Sequence, residues 1–314
     1  MAEAAPSGVV ASTDVAMQFF ISSLLIASFL IIEPARAAET ASTSESSGQP
    51  KVTLKWLGNA GWEIQVGPTT ILIDPFLTRK EATTGKEWKT DEEAVLKVIA
   101  GADYIFAGHS HADHIGDVPF IAKRFGSKVI GSRTTTNIAL TAGVATQQLT
   151  TIRGGEKLMF NDLTVQVIES RHGVLTRGGR TRQPKSEEVL QPWSGPIMGN
   201  HFVEGGSYLY YFTFDNHRVL HQSTGNFIEE NLKGLQPDIA LLAATGNYDF
   251  TDAIKILRPK TVVIHHFDEW RAPFTGGISA SNRKRAQRVV DQVRSVDGAI
   301  KVTIPDFLKT IALE

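Results

Sequence analysis

The chain has 314 residues, 42% of them apolar and 21% charged, with a formal net charge of -1 and no cysteine. That length and apolar content exclude a peptide, a fibre and a disordered chain, and allow a sizeable core. The near-neutral charge argues against the global basic field of a nucleic-acid binder, and the missing thiols exclude a disulfide framework, a thiolate-ligated zinc site, an iron–sulfur cluster and a cysteine nucleophile.

Residues 15–32 run without a charge and are followed by Pro34 and the small-x-small site Ala35-Arg36-Ala37. An apolar stretch ending this way reads as a secretory signal over residues 1–37, which places the mature protein in the periplasm or outside the cell. Glu3 and Asp14 stand where basic residues would be expected, so two other readings stay open. One is a start at Met17; the other is an uncleaved anchor over residues 15–32, just long enough to span a bilayer. Loss of residues 1–37 removes Glu3, Asp14, Glu33 and Arg36 and moves the net charge from -1 to near +1. Residues 38–50 are Ser/Thr-rich without apolar periodicity and read as a disordered linker. The folded domain then covers residues 51–314.

From residue 52 short β-type runs come first: 52–57, 61–66 and 70–74, separated by Gly, Asn and Pro turns as in an antiparallel meander. A helix is predicted over 90–101, a buried strand over 103–108, a helix over 117–126, a strand over 128–131 and a helix over 134–143. Residues 157–160 and 163–170 form one predicted hairpin, and 207–214 and 217–222 another. The chain continues with helix 227–233, strand 238–243, helix 250–257, strand 261–266, helix 280–296 and strand 299–304. Each half opens with antiparallel strands and goes on to alternate strand and helix. Two such halves predict an α/β architecture: a four-layer αβ/βα sandwich, two mixed sheets face to face with helices on the outer faces. Residues 171–206 interrupt the rhythm with Gly173, Gly178, Gly179, Pro184, Pro192, Pro196 and Gly199. A segment this long without periodicity reads as a lid or a disordered insert.

The strongest chemical signal is His109-Ser110-His111-Ala112-Asp113-His114, directly after the strand predicted at 103–108. A chain of this composition would carry His-x-His-x-Asp-His by chance in roughly a few cases per ten thousand. Imidazole and carboxylate are the ligands zinc takes when no thiolate is present, and loops at the carboxyl ends of buried strands are where α/β proteins place sites. The spacing sets His109 and His111 on one side and turns Asp113 and His114 to a neighbouring position. One loop can thus feed two metals about 3.5–4 Å apart. Later histidines supply candidates for the remaining ligands. His172 follows strand 163–170, with His201 as its rival. His265 and His266 close strand 261–266, and only one of two adjacent strand residues can face a site. His217 and His221 read as strand surface or core.

Together these residues resemble the metallo-β-lactamase fold superfamily of metal-dependent hydrolases over roughly residues 52–306. The opening LKWLGNAGWEIQVGPTTILIDPFL is similar to the ascorbate-6-phosphate lactonase-like branch, which includes N-acyl phosphatidylethanolamine phospholipase D. The resemblance implies two divalent cations, zinc first and manganese or iron as alternatives. It places His109, His111 and His172 on one cation and Asp113, His114 and His266 on the other, His266 because it directly precedes an aromatic. It also implies that Asp74 braces the motif loop, an outer carboxylate orienting imidazoles, although Asp74 also reads as the start of an Asp-Pro turn. Where the family carries Gly-Asp-Thr-Gly, this chain has Gln222-Ser223-Thr224-Gly225, so Ser223 stands at the place of a metal-bridging aspartate. A neutral hydroxyl there implies a more weakly held second cation, with Asp249 or Asp268 as possible substitutes.

The implied activity is hydrolysis of an ester, lactone, phosphodiester or amide bond of a small substrate by a metal-bound hydroxide, with Asp113 as the proton carrier. β-Lactam hydrolysis is an alternative, and so is iron-based redox chemistry on the same fold, as in persulfide dioxygenases. Arg171, Arg177, Arg180, Arg182 and Lys185 suggest recognition of an anionic substrate group, or else a solvated loop offset by Glu187 and Glu188. Trp193, Phe202 and Trp270 are candidates for an apolar mouth. No aromatic residues interleave with the basic cluster as in a nucleic-acid channel. Membrane contact is expected only through an uncleaved anchor.

Overall fold

The computed structural model describes residues 52–160, 163–177, 180–182, 187–214, 216–274 and 277–313, and only the backbone within 175–182. The export-signal and linker readings of residues 1–50 lie outside the described residues, as do Lys185 and the side chains of Arg177, Arg180 and Arg182.

Alternation of apolar residues along the first strands sets the architecture. In β1 (Val52–Gly58), Val52, Leu54 and Trp56 point to one face and Leu57 to the other. The same split holds in β3 (Thr69–Ile73) and β4 (Tyr104–Phe106), where Ile71, Ile73, Tyr104 and Phe106 face inward and Leu72 and Ile105 outward. A strand apolar on both faces must be covered on both. β1 and β2 (Gly61–Val66) lie antiparallel, as do β2 and β3, while β4, β5 (Lys128–Gly131) and β6 (Leu149–Thr151) continue in parallel from β3.

The second sheet repeats the plan. β7 (Lys157–Phe160), β8 (Leu163–Ser170), β11 (Ser207–Phe214) and β12 (His217–Gln222) pair antiparallel in the spatial order β7-β8-β11-β12. β13 (Ile239–Ala243), β14 (Thr261–His265) and β15 (Lys301–Thr303) extend it in parallel. The inner faces meet in one apolar core that includes Trp56, Trp62, Phe106, Tyr210, Phe212 and Leu241.

Helices cover the outer faces, completing the four-layer sandwich. α1 (Glu92–Leu96), α2 (Ala112–Ile115), α3 (Val118–Phe125) and α4 (Arg133–Thr141) contribute Val95, Ile115, Ile121 and Ile138 to a second apolar cluster on the first sheet. α5 (Thr251–Leu257) and α6 (Ala280–Val296) cover the second sheet through Ile254, Leu257, Val289 and Val293.

Some elements depart from the sequence expectation. The helix predicted over 90–101 is regular only through Leu96, and β-branched Val98 and Ile99 follow in a turn. The helix predicted over 227–233 is a single 3-10 turn, Glu229–Leu232. A C-terminal strand, β16 (Thr310–Leu313), crosses back to pair antiparallel with β1, so the last strand of the second half edges the first sheet. Four residues carry too little periodicity to reveal a strand. The 171–206 segment contains a short hairpin, β9 (Leu175–Arg177) with β10 (Arg180–Arg182), and a 3-10 turn at Gly199–His201.

Candidate metal centre

Strand ends from both sheets meet at one edge of the sandwich. Asp74 follows β3, the 107–111 loop follows β4, His172 follows β8, Ser223 follows β12 and His266 follows β14. The parallel strands at the centre of each sheet deliver their carboxyl ends to the same side, which is where α/β folds bind ligands.

Here six side chains form two groups of three. The ligating atoms of His109, His111 and His172 lie within 4.8 Å of one another, and so do those of Asp113, His114 and His266. His109 Nε2 is 3.0 Å from His111 Nδ1. His114 Nε2 is 3.3 Å from His266 Nε2 and 3.6 Å from Asp113 Oδ2, and His266 Nε2 is 3.8 Å from Asp113 Oδ2.

The hydrogen bonds behind these atoms set the tautomers. His114 Nδ1–H donates to Asp74 Oδ2 at 3.0 Å. His109 Nδ1–H donates to Ser223 Oγ at 3.1 Å, and that hydroxyl donates to Asp74 Oδ2 at 2.6 Å. Asp74 Oδ1 accepts Gly108 N–H at 2.7 Å. One buried carboxylate thus braces the loop and, directly or through Ser223, leaves the Nε2 lone pairs of His109 and His114 turned inward. His172 Nδ1–H is taken by the Gly173 carbonyl at 2.7 Å, which sets the tautomer that carries the lone pair on Nε2. A cation is the partner that converging lone pairs of this kind fit.

Electrostatics agree with neutral ligands. Burial first, then the neighbouring imidazoles, holds His109 well below the usual histidine range, brings His111 to about 4 and His266 to about 3. Burial also lowers His172. His114 is the exception. Burial works against its charging, but Asp113 and Asp74 hold it above the ordinary value. Asp113 is held low, against its own burial, by His114 and His266.

The remaining candidates separate clearly. His265 points between the sheets, where its Nδ1 accepts Trp62 Nε1–H at 3.0 Å and its Nε2–H donates to the Gln222 carbonyl at 2.9 Å. His266 lies beyond the strand with φ of +54°, so a left-handed turn aims it at the site. His221 is buried in the core against the Ala60 carbonyl. His201 meets Trp193 edge to face, ring centroids 4.0 Å apart, away from the other imidazoles. Trp193, expected at an apolar mouth, packs there and on the helical layer instead, because residues 189–193 run along α4, where Asn137 Nδ2 donates to the Val189 carbonyl and Trp193 N–H donates to Thr141 Oγ1. Phe202 is buried against Trp88. Trp270 does line the cavity of about 290 Å³ that holds all six ligand-type residues, and Asp268 and Arg285 line it too. Asp249 is exposed and bonds Thr251 at the start of α5, so it does not stand in for the missing bridge.

Ser223 faces the Nδ1 edges of His109 and His114 and the Asp74 carboxylate, rather than the ligating atoms.

Sequence reasoning missed Asn59. It sits in the β1–β2 turn with φ of +50°, a conformation asparagine tolerates better than most residues. Its Nδ2 donates to the Asp113 carbonyl and, at 3.3 Å, to Asp113 Oδ2. Its carbonyl accepts His266 N–H at 2.8 Å, and its own N–H donates to Asp268 Oδ1 at 3.0 Å. Asp268 is in turn paired at 2.7 Å with buried Arg79, which stacks on Phe274. One turn residue therefore grips two of the three ligand-type residues of the second group. The Gly-Asn-Ala-Gly run signalled a turn, but nothing local in it points to Asp113.

A family model described as beta-lactamase superfamily domain matches residues 53–266. A protein of Thermococcus onnurineus named a metal-dependent hydrolase is 27% identical over 233 residues, 70% of this chain and 86% of that protein. One of the same description from Polynucleobacter asymbioticus is 28% identical over 276 residues, 83% of this chain and 87% of the relative. Among solved structures, Igni18, a metallo hydrolase from Ignicoccus hospitalis, aligns with a TM-score of 0.56 and 22% identity, covering 84% of this chain and 99% of that one. At that identity the likeness speaks to the fold.

Proposed function

This chain belongs to the beta-lactamase superfamily and is a metal-dependent hydrolase of the metallo-β-lactamase fold, and from that premise we propose that it holds two divalent cations, zinc first among them, and cleaves an ester, lactone, phosphodiester or amide bond of a small molecule after export from the cytoplasm. The observation that carries the reading is the convergence of His109, His111 and His172 beside Asp113, His114 and His266 in one cavity.

Two such cations, one held by His109, His111 and His172 and one by Asp113, His114 and His266, would supply Lewis acidity for the scissile group and acidify a water towards neutral pH. The chain's own residues do the rest. Asp74 and Ser223 hold His109 and His114 in the ligating tautomer. Asn59 fixes the Asp113 carboxylate, whose Oδ2 faces the cavity side of His114 and His266. The Asp113 carboxylate is the group placed to accept the proton of the attacking water and return it to the leaving group. Trp270 contributes an aromatic wall to the cavity.

The test is a panel of esters, lactones, phosphodiesters, amides and β-lactams given to the zinc- or manganese-loaded protein. Turnover of one class is expected, abolished by chelation, restored by metal and lost in His109→Ala and His266→Ala. A protein that binds two equivalents of metal yet turns over none of these classes contradicts the reading.

A further inference from the structure

His172 also forms part of the wall of a second, larger cleft of about 720 Å³, within the size range of small-molecule sites. Three arginines line it from three separate elements: Arg133 opens α4, Arg153 follows β6 and Arg171 follows β8. None of the three guanidiniums has an ion pair or side-chain hydrogen bond among the described residues, although Glu169 and Glu188 line the same cleft. A third carboxylate, Glu204, is only 5% exposed. Its Oε1 accepts Ser207 Oγ–H at 2.8 Å, its main-chain carbonyl accepts Ser110 N–H at 2.8 Å from the motif loop, and no cation pairs with it among the described residues.

Arginines and carboxylates that line one cavity and do not neutralise each other leave their charges for a ligand. A plain anion would be drawn by the guanidiniums and opposed by the carboxylates, and a plain cation the reverse. A molecule with both charges satisfies both sets. Glu204 sharpens the choice, because a buried carboxylate with one hydroxyl donor is costly until a further donor completes it.

We propose that this cleft is the subsite for the part of the substrate remote from the scissile bond, and that it takes an amino-acid-like zwitterion, its carboxylate on Arg133, Arg153 and Arg171 and its ammonium on Glu204. The inference deepens the hydrolase reading and rests on it for the word substrate, but the binding itself is tested without turnover. The probes are L-norvaline, pentanoate and butylamine, measured by calorimetry and ligand-observed NMR on the full chain, both zinc-loaded and chelator-treated.

Norvaline is expected to bind about tenfold more tightly than either single-charge analogue, with or without zinc. Glu204→Gln should erase its advantage over pentanoate, and the exposed pair Arg153→Gln/Arg171→Gln its advantage over butylamine. The arginine variants lie on the surface, so they report even if Glu204→Gln misfolds. Equal binding of pentanoate and norvaline overturns the proposal, as does indifference to the arginine substitutions. Binding that vanishes with the metal overturns it too, by moving the probe to the metal centre. Failure to hydrolyse any ester or amide would leave these binding results intact and count against the hydrolase reading alone.

Discussion

Asn59→Gly removes the carboxamide that holds Asp113 and leaves the turn unstrained, since glycine adopts the observed φ of +50° freely. The backbone bonds to His266 and Asp268 survive the change. What is lost is the Nδ2 donor to the Asp113 carbonyl and to its Oδ2. A hydrogen bond to a charged group contributes about 1.5–3 kcal/mol. Taking about 2 kcal/mol as the loss, a cation at the proposed Asp113, His114 and His266 site should bind roughly 30-fold more weakly, inside the range of about 10–100-fold seen when outer-shell partners are removed. The His109, His111 and His172 site does not touch Asn59 and should change by less than about threefold. Competition titration of zinc against a chromophoric chelator resolves the two affinities. Asn59→Ala adds about 1–2 kcal/mol of left-handed backbone strain, which should appear as a lower melting temperature than in the glycine variant. Equal weakening of both sites, or of neither, would refute the assignment of Asn59 to the second group.

Ser223→Ala should weaken the first site about tenfold, because His109 Nδ1–H loses its acceptor and the link to Asp74 is broken; unchanged zinc affinity would argue that the hydroxyl is passive. Ser223→Asp should not raise occupancy of the second metal, because position 223 faces the Nδ1 edges of His109 and His114 and lies 2.6 Å from the Asp74 carboxylate; a gain in elemental analysis would refute this. Asp238, despite partial burial, is brought from 3.8 to about 2 by Arg218 and Lys260. Its folded pKa is depressed, so its contribution is present above about pH 4 and disappears as pH falls towards 2; discounted for the exposure of Arg218 and Lys260 it is about 1 kcal/mol. The stability gap between wild type and Asp238→Asn should therefore close in acid, and a gap that stays constant from pH 7 to pH 2 refutes this. Arg258 caps α5 with φ of +46°, so Arg258→Gly should stabilise the fold by about 0.5–1 kcal/mol, read as a rise in melting temperature; a fall would show that its side chain contributes more than the strain costs.

Local pattern carried a good part of this structure. The motif 109–114 lies in one loop after one short strand, so short-range geometry alone separates its two groups of ligands. Period-two alternation marked the strands that contribute to the inner core, and Gly and Asn turns marked their ends. The helix limits were less legible at 90–101 and 227–233, where packing decides how far a turn continues.

What residue order determined by itself was the chemistry available: imidazoles and a carboxylate at metal-ligand spacing, no thiol, and strands and helices in the right alternation for two layered sheets. Folding in three dimensions decided which distant residues serve that chemistry. It selected His172 over His201 and turned His266 in while tying His265 to Trp62. It brought Asn59 to Asp268 across 209 positions, and Glu204 to a cleft with three arginines. The reason is physical: periodicity records which face of an element is apolar, whereas a polar contact between strand ends depends on sheet order and register, which no single segment contains.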